Sequence, residues 1–143
     1  MQTILIEKLR SYIIQNNLDL LLKLQQDFSV TRYLEDKVAL VMPLVDQWIA
    51  EGKPQYVVEE LSMNELTREL RPSKFNYIKE ILEEDFLQIY KDFRDKGVLT
   101  YEISNMIEAC NPVFEKMGFT EDNEDDRALR YAVMGKIQEY LEA

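Results

Sequence analysis

The chain has 143 residues, 46% apolar and 31% charged, which places it with ordinary globular sequences and not with disordered or membrane-embedded ones. Its 27 acidic and 17 basic side chains leave a formal charge of −10, and it contains no histidine. Such a surface repels phosphate backbones and anionic lipid, so direct nucleic-acid or membrane binding is not expected, whereas a basic protein would be attracted.

The length predicts one domain spanning 1–143. Four glycines and four prolines leave little material for the turns of an all-β fold. The single cysteine excludes an intrachain disulfide and suits a reducing compartment. The opening "MQTILIEKLRSYIIQNN" lacks a basic stretch followed by an unbroken apolar run, and nothing approaches the ~20 apolar residues of a bilayer span. The expected location is cytoplasmic.

Apolar residues recur at helical spacing almost throughout. Leu5, Leu9, Tyr12 and Ile13 share one face of a first helix that stops at Asn16-Asn17, and "LDLLLKLQQ" forms a short second one. The third carries Leu34, Val38, Val41, Val45, Trp48 and Ile49, with Gly52 placed to end it and Pro54 following. Pro43 predicts a kink or break near Val41-Met42, because proline lacks the N–H and crowds the preceding turn. A fourth helix uses Val57, Val58 and Leu61, less regularly Leu66 and Leu70, and is interrupted at "RPS".

From Ser73 a long helix is predicted through Ile78, Leu82, Phe86, Ile89 and Phe93 to Gly97. Thr100 is placed to cap the next, which carries Ile103, Met106, Ile107, Cys110, Val113, Phe114 and Met117, with Pro112 as a second kink. The last runs through Leu129, Val133, Ile137, Tyr140 and Leu141. Short connections suit antiparallel packing, so the expected fold is an all-α, single-domain bundle of about six to seven amphipathic helices.

Five carboxylates between Glu121 and Asp126 invite a calcium reading. Counted from Asp122, however, an EF-hand loop would need glycine at its sixth position and glutamate at its twelfth, and the chain has Arg127 and Val133 there. The same residues read as a helix start, with Asn123 as N-cap and Asp126 three residues on in a capping-box place. Glu59, Glu60, Glu80, Glu83 and Glu84 read as charged outer faces, since a bundle di-iron site needs Glu-x-x-His pairs. Without histidine the usual general base, the Ser-His-Asp and Cys-His triads and most zinc sites are excluded. Cys110 sits on an apolar stripe as a structural thiol. No catalytic, cofactor or metal residue is expected.

Tyr56, Tyr77, Phe75 and Trp48 fall near helix ends or off the main stripes, where rings can lid a bundle or anchor a partner. "LRPSKFNYIKEI" is the one locally basic stretch, with Arg68, Arg71, Lys74 and Lys79 around Ser73. Arg71, Lys74, Phe75 and Tyr77 are therefore the expected partner-contact residues.

"LRSYI", "EGKPQYVVEELSMNEL", "SKFNYI" and "ACNPVFEKMGFTEDNE" together resemble a domain-of-unknown-function family of small all-helical bacterial proteins, often encoded with conjugative or mobile-element genes. The resemblance spans nearly the whole chain and implies a helical fold and a bacterial cytoplasmic origin, but no catalytic residue. The His anticipated shortly before the Ser-Lys pair is absent, with Arg71 and Pro72 preceding Ser73. The expected function is a non-enzymatic helical accessory or protein-interaction module. The alternatives are an acidic DNA mimic that inhibits a nucleic-acid-binding enzyme and, more remotely, a carboxylate-based hydrolase.

Overall fold

A computed structural model describes all 143 residues and contains helices without strands. The helices divide into two compact units, Met1–Leu70 and Arg71–Ala143.

The first unit contains α1 (Gln2–Asn16), α2 (Leu18–Gln26), α3 (Val30–Ala50), α4 (Gln55–Leu66) and one 3₁₀ turn, Arg68–Leu70. Leu5, Leu9 and Ile13 of α1 meet Leu34, Val38, Val41 and Val45 of α3 and Val58 of α4 in one core. Steps of three and four residues put each set on a single helix face, which is why these sequences bury cooperatively. In α4 the buried positions are Val58 and Ser62, while Val57 and Leu61 are only partly covered. The Ser62 hydroxyl donates to the Val58 carbonyl at 2.6 Å, so its burial leaves no unmet donor.

The second unit contains α5 (Lys74–Asp85), α6 (Leu87–Asp95), α7 (Leu99–Met117) and α8 (Arg127–Glu142). Here α7 is central and packs on α5, α6 and α8. Phe75, Ile78, Ile81 and Leu82, then Ile103, Met106, Ile107, Cys110 and Phe114, then Leu129, Val133 and Ile137 are the buried residues. The Tyr140 hydroxyl donates to Glu102 Oε2 at 2.6 Å, tying the end of α8 to the start of α7.

The all-α class agrees with the sequence, but there are eight helices, not six to seven. The extra one arises at Phe86, where the expected continuous helix breaks: φ −135° and ψ 47° end α5 and begin α6. No proline or glycine marks this point. The break leaves Glu83, Glu84 and Asp85 at a helix C-terminus, where carboxylates face the negative dipole end. Arg130 of α8 offsets this, its Nη2 lying 2.8 Å from Glu84 Oε2 and 2.6 Å from Asp85 Oδ2.

Neither proline breaks its helix, since α3 and α7 run through Pro43 and Pro112. The carbonyls they leave without a donor belong to Ala39 and Glu108, on exposed faces where water can serve them. Gly52 and Gly97 take the left-handed conformation at φ 82° and 73°, and each closes its helix with paired backbone bonds. Thr100 lies inside the first turn of α7, whose N-cap is Val98. No helix is long and apolar enough to cross a membrane.

Candidate functional site

Two of the residues expected to contact a partner, Lys74 and Tyr77, meet α7 in the second unit. Ser73 caps α5 by accepting the Asn76 amide at 3.0 Å, which fixes the direction of the next four side chains. Phe75 points inward and is 3% exposed, so it presents no surface. Tyr77 stacks edge-on against Phe114 and Phe119, with ring centroids 6.1 and 5.0 Å away. Burial pushes its hydroxyl above the ordinary tyrosine value, against the opposing pull of Arg130. Lys74 Nζ lies 3.2 Å from Asn111 Oδ1 and 5.2 Å from the centroid of the Phe114 ring. Arg71 pairs with Glu121 at 3.5 Å. Lys74 and Tyr77 therefore tie α5 to α7, Arg71 pairs with the loop that follows α7, and all three keep a partial solvent face that Phe75 lacks.

The acidic segment differs in detail from its sequence reading. Asp126, not Asn123, is the N-cap of α8 and accepts the Ala128 amide at 3.1 Å. Asn123 instead closes the preceding loop. Its Oδ1 accepts from the Thr120 amide at 2.7 Å, and its Nδ2 donates to the carbonyls of Gly118 at 2.9 Å and Met117 at 3.3 Å. The end of α7 has open carbonyls that a side-chain amide can satisfy and a carboxylate cannot, so asparagine is spent there.

Reactive groups are few. Cys110 is fully buried, its thiol 3.9 Å from the Val133 carbonyl, and burial pushes it up to about 11. A thiol so protonated is a poor nucleophile. Partial desolvation, then the nearby Glu84 carboxyl and Asp125, raise the exposed Glu80 carboxyl. Desolvation pulls the Arg130 guanidinium down, but the hydrogen bond and charge of Asp85, with Glu84, outweigh it and hold it above its ordinary value. No three His, Cys, Asp or Glu side chains converge closely enough to hold a metal ion.

The surface feature that sequence reasoning missed lies in the first unit. Leu40 and Leu44 sit one turn apart on α3, beside the buried Leu34–Val38–Val41–Val45 stripe, and are 76% and 39% exposed. They flank a groove of about 240 Å³ whose lining also includes Val41, Leu66 and Leu70. Its rim carries Lys37, Glu65, Arg68 and Glu69. Lys37 pairs with Glu69 at 3.7 Å, and Arg68 pairs with Glu65. Tyr33 lines the groove too, its ring centroid 5.7 Å from Lys37 Nζ. Burial, then Glu69, pushes its hydroxyl up. The available signal was a second apolar line on α3, Leu40 to Leu44, that the core stripe does not use.

Compared with protein-family models, curated proteins and solved structures, the chain matches none.

Proposed function

We propose that the chain is a non-enzymatic helical protein-interaction module whose docking face is the α3–α4 groove of the first unit. The observation that carries this reading is Leu40, 76% exposed beside a groove lined in part by Val41, Leu44, Leu66 and Leu70. Covering a leucine and its apolar surroundings stabilises a complex by roughly 25 cal/mol per Å² of area removed from water, before the costs of association. The polar assemblies of the second unit, by contrast, are occupied with their own neighbours: Arg130 with Glu84 and Asp85, Tyr140 with Glu102, Asn123 with the end of α7.

The test uses immobilised wild-type chain and Leu40→Glu on the same native lysate. The reading expects at least one stoichiometric protein retained by wild type and lost by the variant. Identical retention profiles for the two baits would refute it.

A second reading, an acidic mimic of DNA, draws support from the second unit, where Glu80 feels the charges of Glu84 and Asp125 across α5 and the loop before α8. A DNA-binding enzyme captured in this way would dissociate steeply as salt rises and would be displaced by duplex DNA. Salt-independent capture would sink that alternative.

A further inference from the structure

We infer that α6 is a gate in the second unit, a helix that opens from α5 and α7 as a body while α5, α7 and α8 stay packed. Every other α-helix has at least one buried residue, and α6 has none. Ile89, Tyr90 and Phe93 share one of its faces but are only half-buried, and Leu87 is 49% exposed. Half-covered side chains return less transfer free energy than buried ones, while each ordered residue still costs its backbone entropy.

No side-chain hydrogen bond or ion pair holds α6 to its neighbours. Gln88 donates to Asp92 at 3.0 Å, Arg94 pairs with Asp95 at 3.3 Å, and the Arg94 guanidinium lies 5.9 Å from the Tyr90 ring centroid, all within the helix. The rest of the unit is tied across helices, Lys74 to Asn111, Tyr140 to Glu102, and Arg130 to Glu84 and Asp85.

The ends of α6 add little hold. Its N-cap is Phe86, which offers no side-chain acceptor, so the first amides lack a capping bond. At the other end Gly97 is left-handed at φ 73°, and a Cβ placed there meets nothing within 4 Å. Nine residues fall short of the roughly 12–15 that a helix needs to persist alone in water, so α6 keeps its helix only while docked. The equally short and uncapped α2 differs in burying Leu24.

Opening uncovers Ile89, Tyr90 and Phe93 and the sides of α5 and α7 that α6 covers. The second unit therefore presents this surface only in the open form, and a ligand for it shifts the population toward that form.

The experiment is amide hydrogen exchange by NMR on the full chain, over a series of sub-denaturing urea concentrations. Amides 90–96 are expected to exchange at least about 100-fold faster than the central amides of α7 and α8. Their urea dependence should be shallower, because this opening exposes less surface than global unfolding. Ile89→Ala weakens the closed form and should speed the α6 amides about fivefold. Val133→Ala removes fully buried methyl groups on α8 and so weakens the closed and the gate-open forms alike. It should speed the α7 and α8 amides about tenfold and leave those of α6 unchanged.

Amides of α6 protected as strongly as those of α7, with the same urea slope, overturn the inference. So does equal acceleration of α6 and α8 in Val133→Ala, or no response of α6 to Ile89→Ala. Exchange of α6 at the rate of an unstructured chain overturns it too, since no closed form would then be populated.

Discussion

Phe28 offers a direct test of the backbone reasoning. It follows α2 at φ 53°, the only non-glycine residue with positive φ, and its side chain is 97% exposed. Its amide bonds the Gln25 carbonyl at 3.2 Å, and the Ser29 amide bonds Leu24 at 2.9 Å. The same paired bonds close α3 at Gly52 and α6 at Gly97. A left-handed L-residue costs roughly 1–2 kcal/mol, and glycine relieves that cost while losing about 0.5–1 kcal/mol more chain entropy on folding. With no packing to lose, Phe28→Gly should stabilise the chain by about 0.5–1 kcal/mol, whereas Phe28→Ala keeps the strain and should shift stability by less than about 0.5 kcal/mol. Gly52→Ala and Gly97→Ala should each destabilise by about 1 kcal/mol, because a Cβ at either position meets nothing within 4 Å and only conformation changes. Urea denaturation followed by circular dichroism reads all four. Destabilisation by Phe28→Gly, or equal stabilisation by Phe28→Ala, would refute the reasoning.

Further predictions concern the second unit. Asp126→Ala removes the N-cap of α8 and should cost about 1 kcal/mol in urea denaturation. Asn123→Ala should cost at least as much, because it frees the Met117 and Gly118 carbonyls and the Thr120 amide together; a neutral result would refute the assigned roles. Cys110 has a folded value of about 11 against an ordinary 9.0, so the unfolded chain loses its thiol proton first. Its contribution is complete below pH 9 and is lost as pH rises towards 11. Wild type should therefore lose more stability over that window than Cys110→Ala, and parallel pH profiles would count against burial of the neutral thiol. Met106→Ala empties a fully buried site on α7 and should cost about 2–5 kcal/mol, read as a lowered denaturation midpoint.

Much of the fold was legible because helices are written in short-range spacing. The stripes Leu5–Leu9–Ile13, Leu34–Val38–Val41–Val45 and Leu129–Val133–Ile137 are buried as their periods require. The stops at Gly52 and Gly97 and the cap at Ser73 follow from backbone preferences that act within one turn. The expected contact residues were less legible. Phe75 and Tyr77 looked peripheral on their own helix, but α7 supplies Phe114 beneath Tyr77, and Phe119 follows it. Position on one helix says which face a ring occupies, not what arrives to cover it.

The sequence by itself determined a helical, histidine-free, acidic chain and most of its helix ends, since periodicity, capping and charge are properties of neighbouring residues. Only the structure showed that the chain breaks at Phe86 with Arg130 paired to the preceding Glu84 and Asp85, that Asn123 serves the end of α7 while Asp126 starts α8, and that Leu40 is left uncovered beside a groove. The contacts of Arg130 and the exposure of Leu40 depend on a partner distant in sequence, or on its absence, whereas Asn123 and Asp126 act on partners two to six residues away and were decided by which of several local caps the loop geometry selects. Burial is settled by what packs against a face and not by the face alone.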